Sequence, residues 1–309
     1  MRCVCVINNY NYANYLDDCL KSVRSQTSPF DLVILVDDGS TDHSLEVARA
    51  HAQDWPELKI MAKPNGGQLS CFNAAVPLIE PDDLVCMLDA DDVYPADYLA
   101  CLRSEASAHK ADFYFCEPHE FQTEECPLTT AVTNDGLGDG FTWEVSSHAV
   151  RMWQLWIGSP TSCVALRGKL YLELLPYPHE PEWRTRADDV LVWGASIMGA
   201  SKHHMPNLRI GYRIHGSNAF ARKKFTEAYT IRRSMHVDRL FNHYCAVMGV
   251  TRHPPGLKDW ARREANLVPD YLWRRYRLPN KRKLYLDRYK GLKKQLKKLQ
   301  WMLGGGRRK

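Results

Sequence analysis

Three acids fall within four positions, Asp89, Asp91 and Asp92, directly after the apolar run Leu84-Val85-Cys86-Met87-Leu88. Carboxylates that share a site repel, and one of them normally keeps its proton. Keeping all three ionised at neutral pH requires something positive beside them: water dipoles, a basic side chain or a metal ion. A second acidic stretch, Asp37-Asp38-Gly39-Ser40-Thr41-Asp42, also closes an apolar run, and an acid pair, Asp188-Asp189, follows roughly 100 residues after the triple. Between them Gly66-Gly67 opens the segment GGQLSCFN, a glycine-rich turn of the kind that lets a phosphate or sugar approach the backbone closely.

These groups need a frame that brings them together. RCVCVI, DLVILV, LKIMAK and DLVCMLD are short, β-rich and apolar, and the second is buried on both faces by its composition. They alternate with NYLDDCLKSVRSQ, STDHSLEVARAHA and GGQLSCFNAAVPLI, which carry apolar residues at helical spacing, the second with Ser40 or Thr41 as N-cap. Strand and helix alternating at short intervals predict a mostly parallel α/β sheet flanked by helices. In such sheets ligands bind outside the carboxyl ends of the strands. Asn8-Asn9-Tyr10-Asn11, Asp37-Asp38 and Asp89 to Asp92 all stand at such ends. Further on, ADYLACLRSEASAHK reads as helix, ADFYFCE and TSCVAL as strands, residues 121–140 as loop, DDVLVWGASIMGA as helix and LRIGYRIHGSN as strand followed by loop. From Thr226 the pattern is helical, broken near Pro254-Pro255 and again at Pro279.

VCVINNYNYANYLDDCLKSVRSQT, LVDDGSTD, KPNGGQLSCFNAA and LDADD, in this order and spacing, resemble the inverting glycosyltransferases of family 2 with the GT-A fold. The resemblance is strong over residues 1–100, fair to about 220, and fades in the remainder. It implies a GT-A (Rossmann-like) mixed sheet over residues 1–220, with a helical C-terminal extension over 221–309. It also implies metal-dependent transfer of a sugar from a nucleotide-sugar, with UDP the expected nucleotide, to a hydroxyl of a cell-surface glycan or lipid-linked saccharide. Two other readings stand beside it: a nucleotidyltransferase that makes nucleotide-sugars, and a non-catalytic nucleotide-sugar scaffold.

The resemblance also distributes roles. Asp91 is the expected ligand of Mn or Mg, a hard cation that takes carboxylate and phosphate oxygens. Asp89 faces the ribose or a metal-bound water, and Asp92 either joins them or caps the next helix. Asp38, with Asp37 beside it, binds the base and ribose, Gly39 makes the turn, and Asp42 serves the helix terminus. Asn8 and Tyr10 line the nucleobase pocket, unless Tyr10 is ordinary packing. Asn65, Gln68 and Asn73 contact the donor. Where relatives often have an Arg contacting phosphate, this chain has Phe72. Inverting transfer needs a base for the acceptor hydroxyl; Asp189 matches that base and Asp188 its acidic neighbour, with helix capping the alternative role. His215, and Arg213 after it, match residues brought over the diphosphate or onto the metal. Arg222, Lys223 and Lys224 form a candidate lid.

Of 309 residues, 45% are hydrophobic, enough for one large core, and no apolar run reaches membrane-spanning length. The ten cysteines form no C-x-x-C pair and are expected to be free thiols, which suits a cytoplasmic protein. The net charge of +5 is unevenly spread: residues 281–309 hold twelve Lys or Arg against Asp287 alone, a local +11 on a body of −6. Tyr285, Tyr289, Leu292, Leu296, Leu299 and Leu303 recur among those lysines at helical spacing. That stripe suits docking on the body, pairing with a second copy in a homo-oligomer, or lying on an anionic membrane as a peripheral helix. Nucleic acid needs no such stripe and is not expected as a partner.

Overall fold

The computed structural model describes residues 1–122, 128–133, 138–216, 218, 225–276 and 278. Arg222, Lys223, Lys224, Pro279 and the basic tail at 281–309 lie outside the described residues.

Four strands form the N-terminal part of the sheet: β1 (Cys3–Asn9), β2 (Leu32–Asp37), β3 (Leu58–Ala62) and β4 (Leu84–Asp89). All three pairings among them are parallel. Connecting helices α1 (Ala13–Arg24), α2 (Ser44–Ala52) and α3 (Gln68–Ala75) return the chain across the sheet. After α4 (Tyr98–Ala108) come β5 (Phe113–Phe121), β6 (Phe141–Trp143), α5 (Ser147–Trp153), β7 (Val164–Arg167), α6 (Gly168–Leu174), α7 (Asp188–Ile197) and β8 (Lys202–Arg213). The strand order is β3-β2-β1-β4-β7-β5-β8-β6. β7 is antiparallel to both neighbours, β5 and β8 are parallel, and β6 is antiparallel to β8. The sheet is therefore mixed but mostly parallel.

Side-chain alternation splits the core into two layers. Cys3, Cys5 and Ile7 of β1 face α1, α2 and α4 together with Val33, Leu35, Cys86 and Leu88. Val4 and Val6 face the other way with Ile34, Val36, Val85 and Met87, against α3, α6 and α7. The continuous apolar runs of these strands follow from burial on both sides. Three more helices, α8 (Glu227–Val247), α9 (Leu257–Asn266) and α10 (Asp270–Arg275), add Phe241, Ala265 and Leu272 to the second layer. The C-terminal helices thus share the sheet's core. Truncating a core side chain such as Ile7 to Ala would cost about 2–5 kcal/mol.

Several expectations need correction. Neither Ser40 nor Thr41 caps α2; the helix starts at Ser44, whose N–H donates to Asp42 Oδ1 at 3.0 Å. The Ser40 hydroxyl instead receives the Asn11 N–H at 2.9 Å and so ties two loops together. In TSCVAL the first three residues form a 3-10 turn, because the strand pairing begins only at Val164. β6, α5 and α6 were not anticipated; they are short, with weak periodicity. The helical pattern expected from Thr226 is α8, and Thr226 is its N-cap, the hydroxyl accepting the Tyr229 N–H at 3.2 Å. The described cysteines are all free thiols.

Candidate active site

In the parallel register Asn8 stands opposite Asp89 and Asn9 opposite Asp37. The carboxyl ends of β1, β2 and β4 therefore lie side by side at the floor of a cavity of about 560 Å³. That is the size of an ordinary small-molecule site.

Behind the floor, Asp37 is fully engaged in building it. Its Oδ1 accepts the Ser40 N–H at 2.9 Å and its Oδ2 the Asn9 amide at 2.8 Å. It does not line the cavity, contrary to the expected donor contact. Asp38 does, and it is the hub of the glycine-rich loop. Its carboxylate accepts the N–H groups of Gly66 (2.8 Å) and Gly67 (2.7 Å), the Asn65 amide (2.9 Å) and the Lys63 ammonium (2.5 Å). Gly67 has φ +94°, and a Cβ there would stand 2.3 Å from the Arg184 Cα, so only glycine fits. Gly39, φ +75°, makes the expected tight turn against this loop.

At the end of β4 the acidic atoms of Asp89, Asp91 and Asp92 lie within 4.8 Å of one another. Burial and then Asp91 push the Asp89 carboxyl up to about 7, opposed by hydrogen bonds from Asn8, Gln68 and Thr161. Burial and the two neighbouring acids push Asp92 well up. Asp91 Oδ2 lies 3.0 Å from His215 Nε2 and accepts the Asn218 amide at 3.2 Å. His215 itself does not line the cavity, contrary to its expected place on the metal; its ring packs 4.4 Å from that of Tyr15. Asp92 caps no helix: α4 starts at Tyr98 with Asp97 at its N-cap position. Asp92 instead accepts the Arg213 N–H (2.8 Å) and the Ser162 hydroxyl (2.5 Å), fastening the acidic loop to β8 and to the turn before β7. Hard oxygen donors this close, two of them (Asp89 and Asp92) raised in proton affinity by burial and then by the neighbouring acids, fit a divalent cation such as Mg or Mn. The buried Asn8 Oδ1, also at the cavity wall, accepts no hydrogen bond.

The opposite wall comes from the loop before α7. Gln68 spans the gap: its Nε2 donates to Asp89 Oδ1 (2.9 Å) and Thr161 Oγ1 (3.0 Å), and its Oε1 accepts the Ala187 N–H (2.8 Å). That bond positions the acid pair. Asp188 lines the cavity, its carboxyl pushed up to about 7 by burial and by Asp189, with Arg186 opposing. Asp189 is fully buried outside the cavity and clamped by Arg186 Nε at 3.1 Å and Arg233 Nη1 at 2.7 Å. The order of the two acids is thus the reverse of the one expected: the group with access is Asp188.

Tyr10 and Asn65 line the cavity. Asn73 does not; it donates to Glu180 Oε2 at 2.8 Å and accepts the Tyr177 N–H at 3.1 Å, holding the 177–180 loop. Arg213 does not either, because its guanidinium is buried against Asp18 at 3.0 Å and over the rings of Tyr15 and Phe121. Phe72, in the place of the expected arginine, is core. Tyr12, Thr161, Arg184, Arg186, Tyr212 and Asn218 also line the site and were not singled out. Tyr212 and Asn218 bracket His215 in YRIHGSN, and Arg186 directly precedes the acid pair, so proximity to recognised motifs was the available signal. Arg233 carried none. Cys71, also in the wall, is held by burial up to about 12 and is no nucleophile at neutral pH.

Residues 4–155 match the family described as Glycosyl transferase family 2. Over 220 residues the chain is 29% identical to the uncharacterized glycosyltransferase alr2836 of Nostoc sp. (strain PCC 7120), covering 71% of this chain and 66% of that protein. Over 138 residues it is 40% identical to the chondroitin synthase of Pasteurella multocida (strain Pm70), covering 43% of this chain and 13% of that one. The chain spans less than two thirds of the length of these relatives. S. aureus TarS 1–349, crystallised with UDP-GlcNAc, superposes with a TM-score of 0.58 at 16% identity, over 80% of this chain and 66% of that one. The mannosyltransferase PcManGT from Pyrobaculum calidifontis, in complex with GDP-Man and Mn2+, superposes with a TM-score of 0.54 at 20% identity, over 86% and 69%. At these identities the likeness is one of fold.

Proposed function

We propose that this chain, whose residues 4–155 match glycosyl transferase family 2 and whose fold is the GT-A fold of its structural neighbours, is a glycosyltransferase that carries out inverting, metal-dependent transfer from a nucleotide-sugar, with UDP the nucleotide, to a hydroxyl of a cell-surface glycan or lipid-linked saccharide. The observation that carries this reading is the shared cavity: Asp89, Asp91 and Asp188 all line it. The first two serve the leaving diphosphate and the third the attacking hydroxyl, as a displacement at the anomeric carbon requires.

Asp91 and Asp89, with His215 in contact with Asp91, would hold the Mn or Mg ion, which when bound neutralises charge on the departing diphosphate. Asn8, Tyr10, Asp38 and Asn65 form the nucleoside end. Asp38 keeps the glycine-rich loop in shape through its five donors and so sets the width of that end. Asp188 takes the proton from the acceptor hydroxyl: its raised proton affinity suits a base near neutral pH. Asp189 stays paired with Arg186 and Arg233 and orients its neighbour. Transfer takes place in the cytoplasm, with the basic tail holding the enzyme on the inner face of a membrane, or pairing copies into a homo-oligomer.

Incubation with UDP- and GDP-sugars plus manganese, followed by nucleotide analysis, tests the reading. Nucleoside diphosphate release, and a product of inverted anomeric configuration when acceptor is added, support it. Pyrophosphate production, or binding without turnover across a broad acceptor set, overturns it.

A further inference from the structure

A second cluster of metal-type side chains stands at the other end of β8. Glu105 is on α4, His109 immediately follows that helix, and His203 is the second residue of β8. Their ligand atoms lie within 4.8 Å of one another. Glu105 Oε2 is 3.3 Å from His203 Nε2 and 3.8 Å from His109 Nε2. The first is a long hydrogen bond, and the second is too long for one. They do match the edges of a coordination tetrahedron: metal–ligand bonds of about 2.0–2.2 Å put neighbouring ligands about 3.4 Å apart.

The surroundings suit coordination as well. His203 Nδ1 lies 2.7 Å from the Thr142 hydroxyl. Without metal Nε2 donates to Glu105 and Nδ1 accepts from that hydroxyl; on coordination the proton shifts to Nδ1, which then donates to the Thr142 oxygen and leaves the Nε2 lone pair for a metal. Burial, His109 and His204 push His203 down to about 4, so its ring is neutral near pH 7. At Gly140 a Cβ would stand 2.5 Å from the His204 carbonyl oxygen and 3.2 Å from His203 Nε2, so a side chain there would crowd that nitrogen. The Glu105–His109 spacing of four residues puts both on one side of the end of α4.

We propose that Glu105, His109 and His203 form a site for a borderline transition-metal ion of the zinc class, completed by water, that fastens α4 to the start of β8. Two imidazoles and a carboxylate select such an ion over magnesium. In this structure the two rings stack at 4.1 Å with planes 13° apart, so coordination turns the half-exposed His109 ring about its side-chain torsions to aim Nε2 at the ion. The site stands at the amino end of β8, and the cavity lies at the carboxyl ends of the strands. Its role is to brace the sheet, not to take part in transfer, and it does not depend on the proposed activity.

The test uses the full chain with excess magnesium present to occupy the carboxylates at the cavity. Zinc is titrated calorimetrically, and cobalt is added as a coloured probe. The expected result is one zinc equivalent bound, with a rise in melting temperature and a cobalt absorption band of low coordination number. Both His109→Ala and Glu105→Gln should weaken zinc at least about tenfold, and Thr142→Val about 10–100-fold, the range for losing an outer-sphere partner. Manganese-supported turnover should be unchanged in His109→Ala. No zinc binding, binding indifferent to His109→Ala and Glu105→Gln, or binding abolished by Asp91→Asn would each overturn the proposal.

Discussion

Arg233 Nη1 stands 2.7 Å from Asp189 Oδ2. A helix from the C-terminal part of the chain therefore supplies an ion-pair partner to the acid beside Asp188, and the guanidinium also lies 5.5 Å from the centre of the Trp193 ring on α7. Arg233→Ala should leave Asp189 with Arg186 alone. Loss of one of two partners of a buried carboxylate costs about 1–3 kcal/mol, seen as a lower denaturation midpoint. The less compensated charge on Asp189 should raise the proton affinity of Asp188 further, moving the acid limb of the kcat/KM profile to higher pH. Arg233→Lys should recover part of both. An unmoved acid limb with reduced stability would leave Arg233 a purely structural brace.

Asp188→Asn should suppress transfer by at least about 10²-fold while donor binding is retained, because a general base contributes about 10²–10⁴ and acts on the acceptor. Asp189→Asn should act mainly through the two arginines it leaves unpaired, lowering stability more than the chemical step. Donor binding by calorimetry and single-turnover rates on both variants decide between the two acids. If Asp189→Asn kills the chemical step in a stably folded protein, the base is Asp189.

With Asp188 ionised as the working form, kcat/KM should fall as pH drops below a limb lying between the ordinary carboxylate range and about 7. Stability has the opposite sign. A folded-state value raised above the unfolded one gives stabilisation that is complete at low pH and is lost as pH rises through about 7. Asp188→Asn removes that loss. Its melting temperature relative to the parent chain should therefore increase from pH 5 to pH 8, and a constant or shrinking difference would contradict the assignment.

The half of the sheet that builds the floor was legible in the sequence because each of its strands is an unbroken apolar run ending in polar residues. β1, β2 and β4 could be aligned at their carboxyl ends from that feature alone. What a side chain does after the turn was not legible. Asp37 and Asp38 are adjacent, yet one braces Asn9 and Ser40 while the other gathers the glycine-rich loop. Asp188 and Asp189 differ by one step of a helix, about 100° of rotation, which separates a cavity wall from a buried clamp. Arg213 lies in a recognised motif but is drawn inward by Asp18 and two aromatic rings. Such outcomes depend on partners up to 195 residues away, which no local pattern carries.

Asp91→Asn should remove a charged ligand from the expected cation and reduce turnover by at least about 10²-fold, a loss near 2.7 kcal/mol in transition-state stabilisation. It should also right-shift the manganese titration of activity. The thermal shift given by manganese without donor should shrink as well, so the readout does not rest on turnover alone. Normal turnover of the parent chain in excess chelator would remove the metal from the mechanism altogether.

Gly67 is the position where backbone conformation and space coincide. Its φ of +94° with ψ 174° belongs to a region that glycine alone adopts readily, and a Cβ would collide with the Arg184 Cα as well as with the start of its side chain. Gly67→Ala therefore meets a conformational cost of about 1–3 kcal/mol, and the clash adds to it unless the 184–186 loop moves. That loop cannot move freely. Gly67 donates to Asp38, and the next residue, Gln68, holds both Asp89 and the Ala187 N–H that leads into Asp188. One added methyl should thus disturb the nucleoside end and the base together, raising KM for the donor and lowering kcat in the same variant. Gly66→Ala provides the contrast: a Cβ there would meet the Ser70 side chain, and no positive φ is involved. It should be milder in stability and in KM. If Gly67→Ala proves as active and as stable as the parent chain, the contact between the glycine-rich loop and the 184–186 loop does not hold the site together.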